Sequence, residues 1–465
     1  MRRRRAWLAA VLPLAGCAVG PNYHRPDTQT PAAYRGDAAP AAASLADDKW
    51  WELYSDPVLT DLVRKALANG FDARIAAVRV EQSRAISLEA NGLYYPSLAY
   101  SSEAFRGKNS LLGNPNPAGN GSIGDGFAPY LSAAWELDVW GRVRRLNEAA
   151  RSQYLGTQAA ERGVRLSLLS EVAEDYFSLL EADQELVIAR QATHDFGSSF
   201  SLFTERLQGG VASRLETSSA AAAQAAAAAQ IPALERRVAM TENEISVLLG
   251  ENPEPVARGA PLADHAAAPS TPPGLPSALL ERRPDILQAE YAAKQANAEI
   301  GVTIGSFLPR FGLSAVLGAA TQNWSKLTHQ RSELWAGGVD LTGPLVQGGA
   351  LRGEYLQAKA AWQLAKLQYE QTVVGAYADV ANALITRQKL AESRVQLAKE
   401  VDAYRDAVRV AGERYRAGQA GYYELLQVQQ QLYPAEVALA QAQRDELISV
   451  VQLYKALGGG WNEPL

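Results

Sequence analysis

The sequence predicts a mixed membrane fold. Four β-strands per chain contribute to a barrel completed by other copies, and they continue into long α-helices packed as a coiled coil. Three observations carry this expectation. Residues recur at fixed offsets, so the chain reads as two copies of one unit. Two stretches, 141–208 and 349–416, contain no proline and are dominated by strong helix formers. Between the helical stretches lie segments of about ten residues that alternate apolar and polar, the length and pattern of a membrane-crossing strand.

The repeat fixes the order of elements. Leu67, Asp72, Ala85 and Pro96 recur as Leu280, Asp285, Ala298 and Pro309, each displaced by 213. Gly141, Glu205, Arg206, Gly210, Glu216, Leu249 and Gly250 recur as Gly349, Glu413, Arg414, Gly418, Glu424, Leu457 and Gly458, each displaced by 208. The first copy spans 59–250 and the second 275–458, with a Pro/Ala-rich linker over 251–274 and a tail at 459–465. Each copy reads as helix, two strands, long helix, turn, helix. The opening helices are expected over 59–93 and 275–305, and the closing helices over 213–249 and 421–457, with Pro434 kinking the last. Leu425, Leu432 and Leu439 keep heptad spacing. A helix over 141–208 or 349–416 would be about 100 Å long. Each can thus be matched by two short ones end to end, which places the linker at mid-level.

The strands are expected at 97–107 and 130–139 in the first copy and at 308–323 and 334–341 in the second. Leu131, Ala133, Trp135, Leu137 and Val139 form one face and Tyr130, Ser132, Ala134, Glu136 and Asp138 the other. Trp335, Val339 and Leu341 repeat the pattern opposite Ala336, Gly338 and Asp340. Four strands cannot close a barrel, and open edges are not tolerated in lipid. Two chains would supply eight strands and three would supply twelve. Loops 108–126 and 324–331 join the strands and are expected outside the cell.

The first residues form a leader. Arg2–Arg5 are a basic start, and Ala6–Gly16 are an apolar stretch too short to span a bilayer and suited to a signal peptide over 1–16. Leu14-Ala15-Gly16-Cys17 looks like a bacterial lipoprotein box. Cys17, the single cysteine, is the expected lipid acceptor, at the head of an extended segment over 17–58. Ala18, rather than Asp, favours the outer membrane.

Composition excludes several classes. Of 465 residues, 45 are basic and 50 acidic, a net charge of −5; removing Arg2–Arg5 leaves 41 basic against 50 acidic, or −9. Such a chain is a poor nucleic-acid binder. One cysteine and four scattered histidines offer no metal-ligand spacing and no disulfide. Gly119-Asn120-Gly121-Ser122-Ile123-Gly124 spells GxGxxG, but in a Pro/Asn/Gly loop with no helix behind it, so it is not read as a nucleotide site. GxSxG, HExxH and CxxC are absent. The chain is read as a non-enzyme.

The pieces CAVGPNYHRP (17–26), KWWELYSDPVL (49–59), WELDVWGRVRR (135–145), LPSALLERRPDILQAE (275–290), ANAEIGVTIGSFLP (296–309) and LYKALGGGW (453–461) resemble the TolC/OprM outer-membrane channel family. The resemblance runs from Cys17 to Trp461 and is to the lipoprotein branch that serves resistance-nodulation-division efflux pumps. It implies a homotrimer with a 12-stranded barrel in the Gram-negative outer membrane and a helical tunnel reaching into the periplasm. A periplasmic adaptor tied to an inner-membrane pump would open the tunnel mouth. The implied function is a passive exit duct for drugs or other small molecules, with no cofactor beyond the covalent lipid on Cys17.

The resemblance also implies the site. Gly210, Val211, Ala212 and Ser213, with Gly418, Gln419, Ala420 and Gly421, match the family's helix-turn-helix tips, where adaptor helices dock. The same glycines serve as ordinary C-cap residues. Glu216 and Glu424 match acids of the periplasmic gate, with Arg206 and Arg414 as available partners, and Tyr415 matches a gate tyrosine. Ala420 stands where some relatives carry Arg or Asp, and Gln427 replaces a common aspartate, which thins the expected closed-state network. Two rivals remain: an exit duct for secreted protein, and a coiled-coil lipoprotein that braces the envelope without entering lipid.

Overall fold

The computed structural model describes residues 18–35, 50–108, 123–265 and 274–459. The leader with Cys17, residues 36–49 and 266–273, most of the first strand-connecting loop, and the tail from 460 lie outside the described residues.

The first half runs α1 (Pro57–Asn69), α2 (Phe71–Gly92), β1 (Ser97–Lys108), β2 (Ile123–Leu137), α3 (Arg142–Gln208) and α4 (Arg214–Leu249). The second runs α5 (Pro276–Arg282), α6 (Pro284–Ser306), β3 (Arg310–Ala319), β4 (Glu333–Thr342), α7 (Ala350–Arg416) and α8 (Tyr422–Ala456). The long helices α3 and α7 each have 67 residues, and α4 and α8 have 36 and 35. Neither Pro232 in α4 nor Pro434 in α8 ends its helix. Among the described residues no helix is long and apolar enough to cross a membrane.

Each opening helix, expected as one, is two. The break falls at Gly70 and Arg283, equivalent places in the two copies. Gly70 adopts φ −54°, ψ 131° and closes α1 through its N–H to the Ala66 carbonyl at 2.9 Å. A Cβ there would lie 2.5 Å from that carbonyl and 2.8 Å from the Leu248 carbonyl, so only glycine lets the segments approach. In the second half the break has another cause. Arg283 precedes Pro284, which drives it to an extended conformation, φ −74°, ψ 121°. Its side chain fills the junction: Nε donates to Asp285 at 2.9 Å, and Nη2 to Asp379 at 2.5 Å. Nη1 donates to the carbonyls of Ala456 and Ala376 at 3.2 and 3.4 Å. The glycines that end α4 and follow α8 press on these breaks. A Cβ at Gly250 (φ +74°) would stand 2.5 Å from the Asn69 carbonyl, and one at Gly458 (φ +71°) would stand 2.8 Å from Arg283 Cα.

The chain forms two compact units. The first comprises residues up to Pro26, Val80–Thr157 and Ala289–Tyr369 and holds the β-sheet. The sheet order is β1-β2-β3-β4, antiparallel throughout. Register sorts the side chains. Tyr100, Leu131, Leu317 and Trp335 form one cross-strand row, Trp135, Leu313 and Val339 another, and Leu137, Phe311 and Leu341 a third, all on one face. Ser132, Glu136, Ser314 and Asp340 lie on the other, where Ser314 Oγ donates to Asp340 at 2.9 Å. Strand β2 begins at Ile123, inside the segment expected as loop, so the last two residues of the GxGxxG run are strand and the rest of it lies outside the described residues. Strand β3 has 10 residues and stops before the expected end, because 320–332 turn through two short 3-10 segments.

Residues 18–26 are strapped to the helices of this unit. Arg145 donates from Nε to the Val19 carbonyl at 3.1 Å and from Nη2 to Asn22 at 2.8 Å. Asn297 donates to the Pro21 carbonyl at 2.9 Å, and Glu290 accepts from both Arg25 and Lys294. Gly301 admits the strap, since a Cβ there would lie 2.8 Å from the Val19 carbonyl.

The second unit, Asp27–Arg79, Gln158–Gln288 and Glu370 onward, is helical. Asp56 caps α1 by accepting from the amides of Val58 and Leu59, and its other oxygen accepts from the Tyr176 hydroxyl at 2.7 Å. That hydroxyl accepts from the Gly259 amide at 3.0 Å, which pins the linker to the start of α1. Further along α3, Glu181 is fully buried, pairs with Arg237 of α4, and accepts from Arg444 of α8 at 3.2 Å. Glu185, one turn on, accepts from Arg237 and from Gln441 at 3.2 and 2.9 Å.

Arg283→Met strips one cation from Asp285 and Asp379 and should lower unfolding stability by about 2 kcal/mol, reduced from the fully buried case because both acids are half exposed. Denaturant titration reads this, and an unchanged midpoint refutes the junction role. Burial and the adjacent Glu185 push the Glu181 carboxyl up to about 7, above the roughly 4.3 of an unfolded glutamate. The stability this group contributes is therefore complete below the unfolded value and lost as pH rises through the folded one. Glu181→Gln should flatten the pH dependence of the thermal midpoint between roughly pH 5 and 8; an unchanged slope would assign that dependence elsewhere.

Candidate functional site

The two helix-turn-helix segments share one backbone design. After α3, the amide of Val211 donates to the Arg206 carbonyl at 2.9 Å and that of Gly210 to Leu207 at 3.0 Å. After α7, Gln419 donates to Arg414 at 2.8 Å and Gly418 to Tyr415 at 3.1 Å. These are Schellman closures, and Gly210 and Gly418 take the left-handed residue, with φ +73° and +72°. Among the described residues, sequence neighbours aside, no atom lies within 4 Å of a Cβ built on either, so backbone conformation rather than crowding calls for glycine. Val211, Ser213, Gln419 and Gly421 are exposed, and Ala212 and Ala420 are half-buried.

The two acids at matching positions do different work. Ser213 caps α4, and its oxygen accepts from the Glu216 amide at 3.3 Å while the Glu216 carboxylate accepts from the Ser213 amide at 2.7 Å. This is a capping box, which ties Glu216 to the positive end of its own helix. In the second copy Gly421 stands where Ser213 does, and no side chain caps α8. Glu424 turns to Arg414 at 3.4 Å, an exposed pair. Arg206, expected as a partner for Glu216, instead donates from Nη1 to the Tyr415 hydroxyl at 2.5 Å, with its guanidinium 4.5 Å from the centre of the ring.

An aromatic cluster joins the two hairpins. Phe203 of α3 lies 5.7 Å from the Tyr415 ring and 3.8 Å from the Tyr422 ring, and Phe196, Ala220, Ala223, Leu425 and Leu426 pack around them. Burial is the main cause of the raised pKa of Tyr415 and pushes the Tyr422 hydroxyl up to about 12, so both stay neutral. Phe203 and Tyr422 were not among the residues expected from sequence. The available signal was divergence between the copies, since Phe203 aligns with Ala411 and Tyr422 with Arg214. Outside the core, Val211, Leu215 and Tyr423 are about three-quarters exposed. Leu215 and Tyr423 are equivalent positions, so each turn carries a large apolar side chain toward solvent. Gln427 is exposed as well. Among the described residues no cluster of His, Cys, Asp and Glu could hold a metal ion.

A model of the outer membrane efflux protein family matches residues 62–251 and 275–459. The solvent efflux pump outer membrane protein SrpC of Pseudomonas putida is 33% identical over 461 residues, covering 97% of each chain. The cation efflux system protein CusC of Escherichia coli is 28% identical over 97% of each. The probable outer membrane lipoprotein SilC of Salmonella typhimurium is 27% identical over 98% of each. Among solved structures, the outer-membrane channel OprN superposes with a TM-score of 0.87 at 30% identity, covering 96% of this chain and 100% of that one. The open state of the Neisseria gonorrhoeae MtrE outer membrane channel superposes at 0.86 with 29% identity, covering 96% and 99%.

Ser213→Ala removes the cap and should cost about 1 kcal/mol locally. Amide exchange in the first turn of α4 should accelerate roughly fivefold while the first turn of α8, which has no such cap, is unaffected. Equal acceleration in both turns would refute the asymmetry between Glu216 and Glu424.

Proposed function

The chain belongs to the outer membrane efflux protein family and is an efflux-pump channel of the outer membrane, not an enzyme; from that premise we propose that three copies close one conduit. The observation that carries this reading is the one-sided sheet. Its apolar face is continuous across four strands, and its outer edges, β1 and β4, have no partner among the described residues. In hydrocarbon an unpaired edge costs several kcal/mol per orphan group, so each edge must meet another copy. Because β1 and β4 run in opposite directions, β4 of one copy can pair antiparallel with β1 of the next. Three copies give twelve strands, with the serine and carboxylate face lining an aqueous lumen.

On this reading the two repeats divide at the linker 251–274, and Cys17 carries the lipid that anchors the strap at 18–26 to the membrane. The helical tips form the periplasmic mouth. There Gly210, Val211, Ala212, Ser213, Gly418, Gln419, Ala420 and Gly421 receive an adaptor that couples the channel to a resistance-nodulation-division pump. The exposed Val211, Leu215 and Tyr423 supply the apolar contact area such docking needs. Glu424, held only by an exposed arginine, is the freer acid of the gate, with Arg414, while Arg206 and Tyr415 join the two hairpins of one chain. Glu216 reaches the gate only by leaving its cap. Relatives named for solvent, toluene, antibiotic and cation efflux support small solutes as cargo rather than secreted protein.

Purified protein should migrate on gels as a heat-modifiable trimer and form channels in planar bilayers; a monomer without channels would favour the envelope-bracing reading. Glu424→Ala should raise single-channel conductance and lower cation preference, whereas an unchanged conductance would remove Glu424 from the gate. Cys17→Ser should abolish labelling by radioactive palmitate, and persistent labelling would place the lipid elsewhere.

A further inference from the structure

Beside the strand ends, the last turns of α2 and the first turns of α3 enclose a cleft of about 480 Å³. From α2 and the turn that follows it, Ser87, Leu88, Asn91 and Tyr94 line the cleft, spaced as one helix face. Arg144, Glu148 and Arg151 line it from α3. It lies beside the sheet, where the Trp135 indole of β2 donates to the Tyr94 carbonyl at 3.0 Å.

The charges of the cleft are unevenly committed. Glu148 is engaged by Arg145 at 2.7 Å, and Arg144 is held by Asp138 at 3.1 Å. Arg151 is exposed and forms no ion pair among the described residues, which leaves the cleft with one uncommitted guanidinium. Leu88 and Tyr94, which line the cleft, stand 62% and 36% exposed, large apolar groups that water does not favour. Arg151 lies nine positions into α3, about 13 Å along the helix from its start beside the sheet. That distance is within reach of a headgroup layer for a long, snorkelling side chain.

We propose that this cleft binds the phosphate of an anionic glycerophospholipid of the periplasmic leaflet. Arg151 takes the phosphate in bidentate fashion, Arg144 adds positive field, Ser87 and Asn91 offer neutral donors, and Leu88 and Tyr94 meet the glycerol and the first acyl carbons. A free phosphate ion shares the first contacts but has no use for the last two. The inference rests on the sheet being inserted in the membrane as a channel.

The test is native mass spectrometry of the full protein released from detergent, titrated with phosphatidylglycerol. The expected result is one retained lipid per chain. Arg151→Glu should weaken retention about tenfold, the size of one charge-assisted contact, and Arg151→Lys should restore most of it. Leu88→Asp should weaken retention as well, and millimolar inorganic phosphate should not displace the lipid. Equal retention by wild type and Arg151→Glu overturns the proposal. So does displacement by inorganic phosphate with Leu88→Asp unaffected, which would make the cleft a simple anion site. Trimer formation and bilayer conductance of the same samples report on the channel itself. Their loss in wild type would refute the channel reading, whereas normal channels without Arg151-dependent lipid refute only the cleft.

Discussion

The outer edges of β1 and β4 set the terms for the whole molecule. Each presents a row of backbone donors and acceptors without a partner among the described residues, on a sheet whose one face is leucine, phenylalanine, tryptophan and valine. In water such a sheet would aggregate through its edges; in lipid an open edge is prohibitive. The arrangement is tolerable only if each edge finds a partner, and in the proposed trimer the single chain is one segment of a wall. The strap at 18–26 then acquires a reason. It is bolted to the helices of the same unit through Arg145, Asn297 and Glu290, so the residue after Cys17 is fixed against Gly141, beside the end of β2. A lipid carried there would tether the wall at its membrane border.

The junctions show how the two halves keep one geometry with different residues. Both halves must break a helix at the same place to let the closing helix dock. The first does it with absence, Gly70 allowing carbonyls to approach within the space of a methyl group. The second does it with Pro284 and a half-buried arginine that gathers two carboxylates and two carbonyls. In both, a left-handed glycine ends the sequence of contacts, because a Cβ at Gly250 or Gly458 would strike the opposing backbone. The geometry is held common while the chemistry differs.

Periodicity and repetition make most of this legible in the sequence. Proline-free runs gave α3 and α7 to within a residue, and period-two alternation gave the faces of β2 and β4, because those signals are set locally by backbone geometry. The helix breaks at Gly70 and Arg283 were missed, since a lone glycine and an Arg-Pro step are compatible with a bent helix until tertiary contact decides. The extra strand length of β2 was missed for a related reason, as Ile123 to Phe127 are glycine-rich and acquire strand structure only by pairing with β1. At the tips, glycines and acids were readable from sequence. Phe203 and Tyr422 show only as places where the two copies diverge, because an aromatic contact between two hairpins has no signature within either.

The helix-turn-helix tips show most sharply how one substitution redirects a site. Glu216 and Glu424 occupy the same position in the two copies, and equality of sequence suggests equality of role. Ser213 against Gly421 undoes it. A serine oxygen that satisfies an amide of α4 also places the Ser213 amide where Glu216 can accept it, so that acid is drawn inward along its own helix axis. With Gly421 there is no such oxygen, and Glu424 is left to an arginine in exposed surroundings, where the pair is worth at most about 1 kcal/mol. The strong contacts of the tips are accordingly between hairpins, Arg206 on Tyr415 and Phe203 against Tyr422, and the weak one lies at Glu424. Tips built this way keep the chain's two hairpins together and hold the charge of Glu424 most loosely.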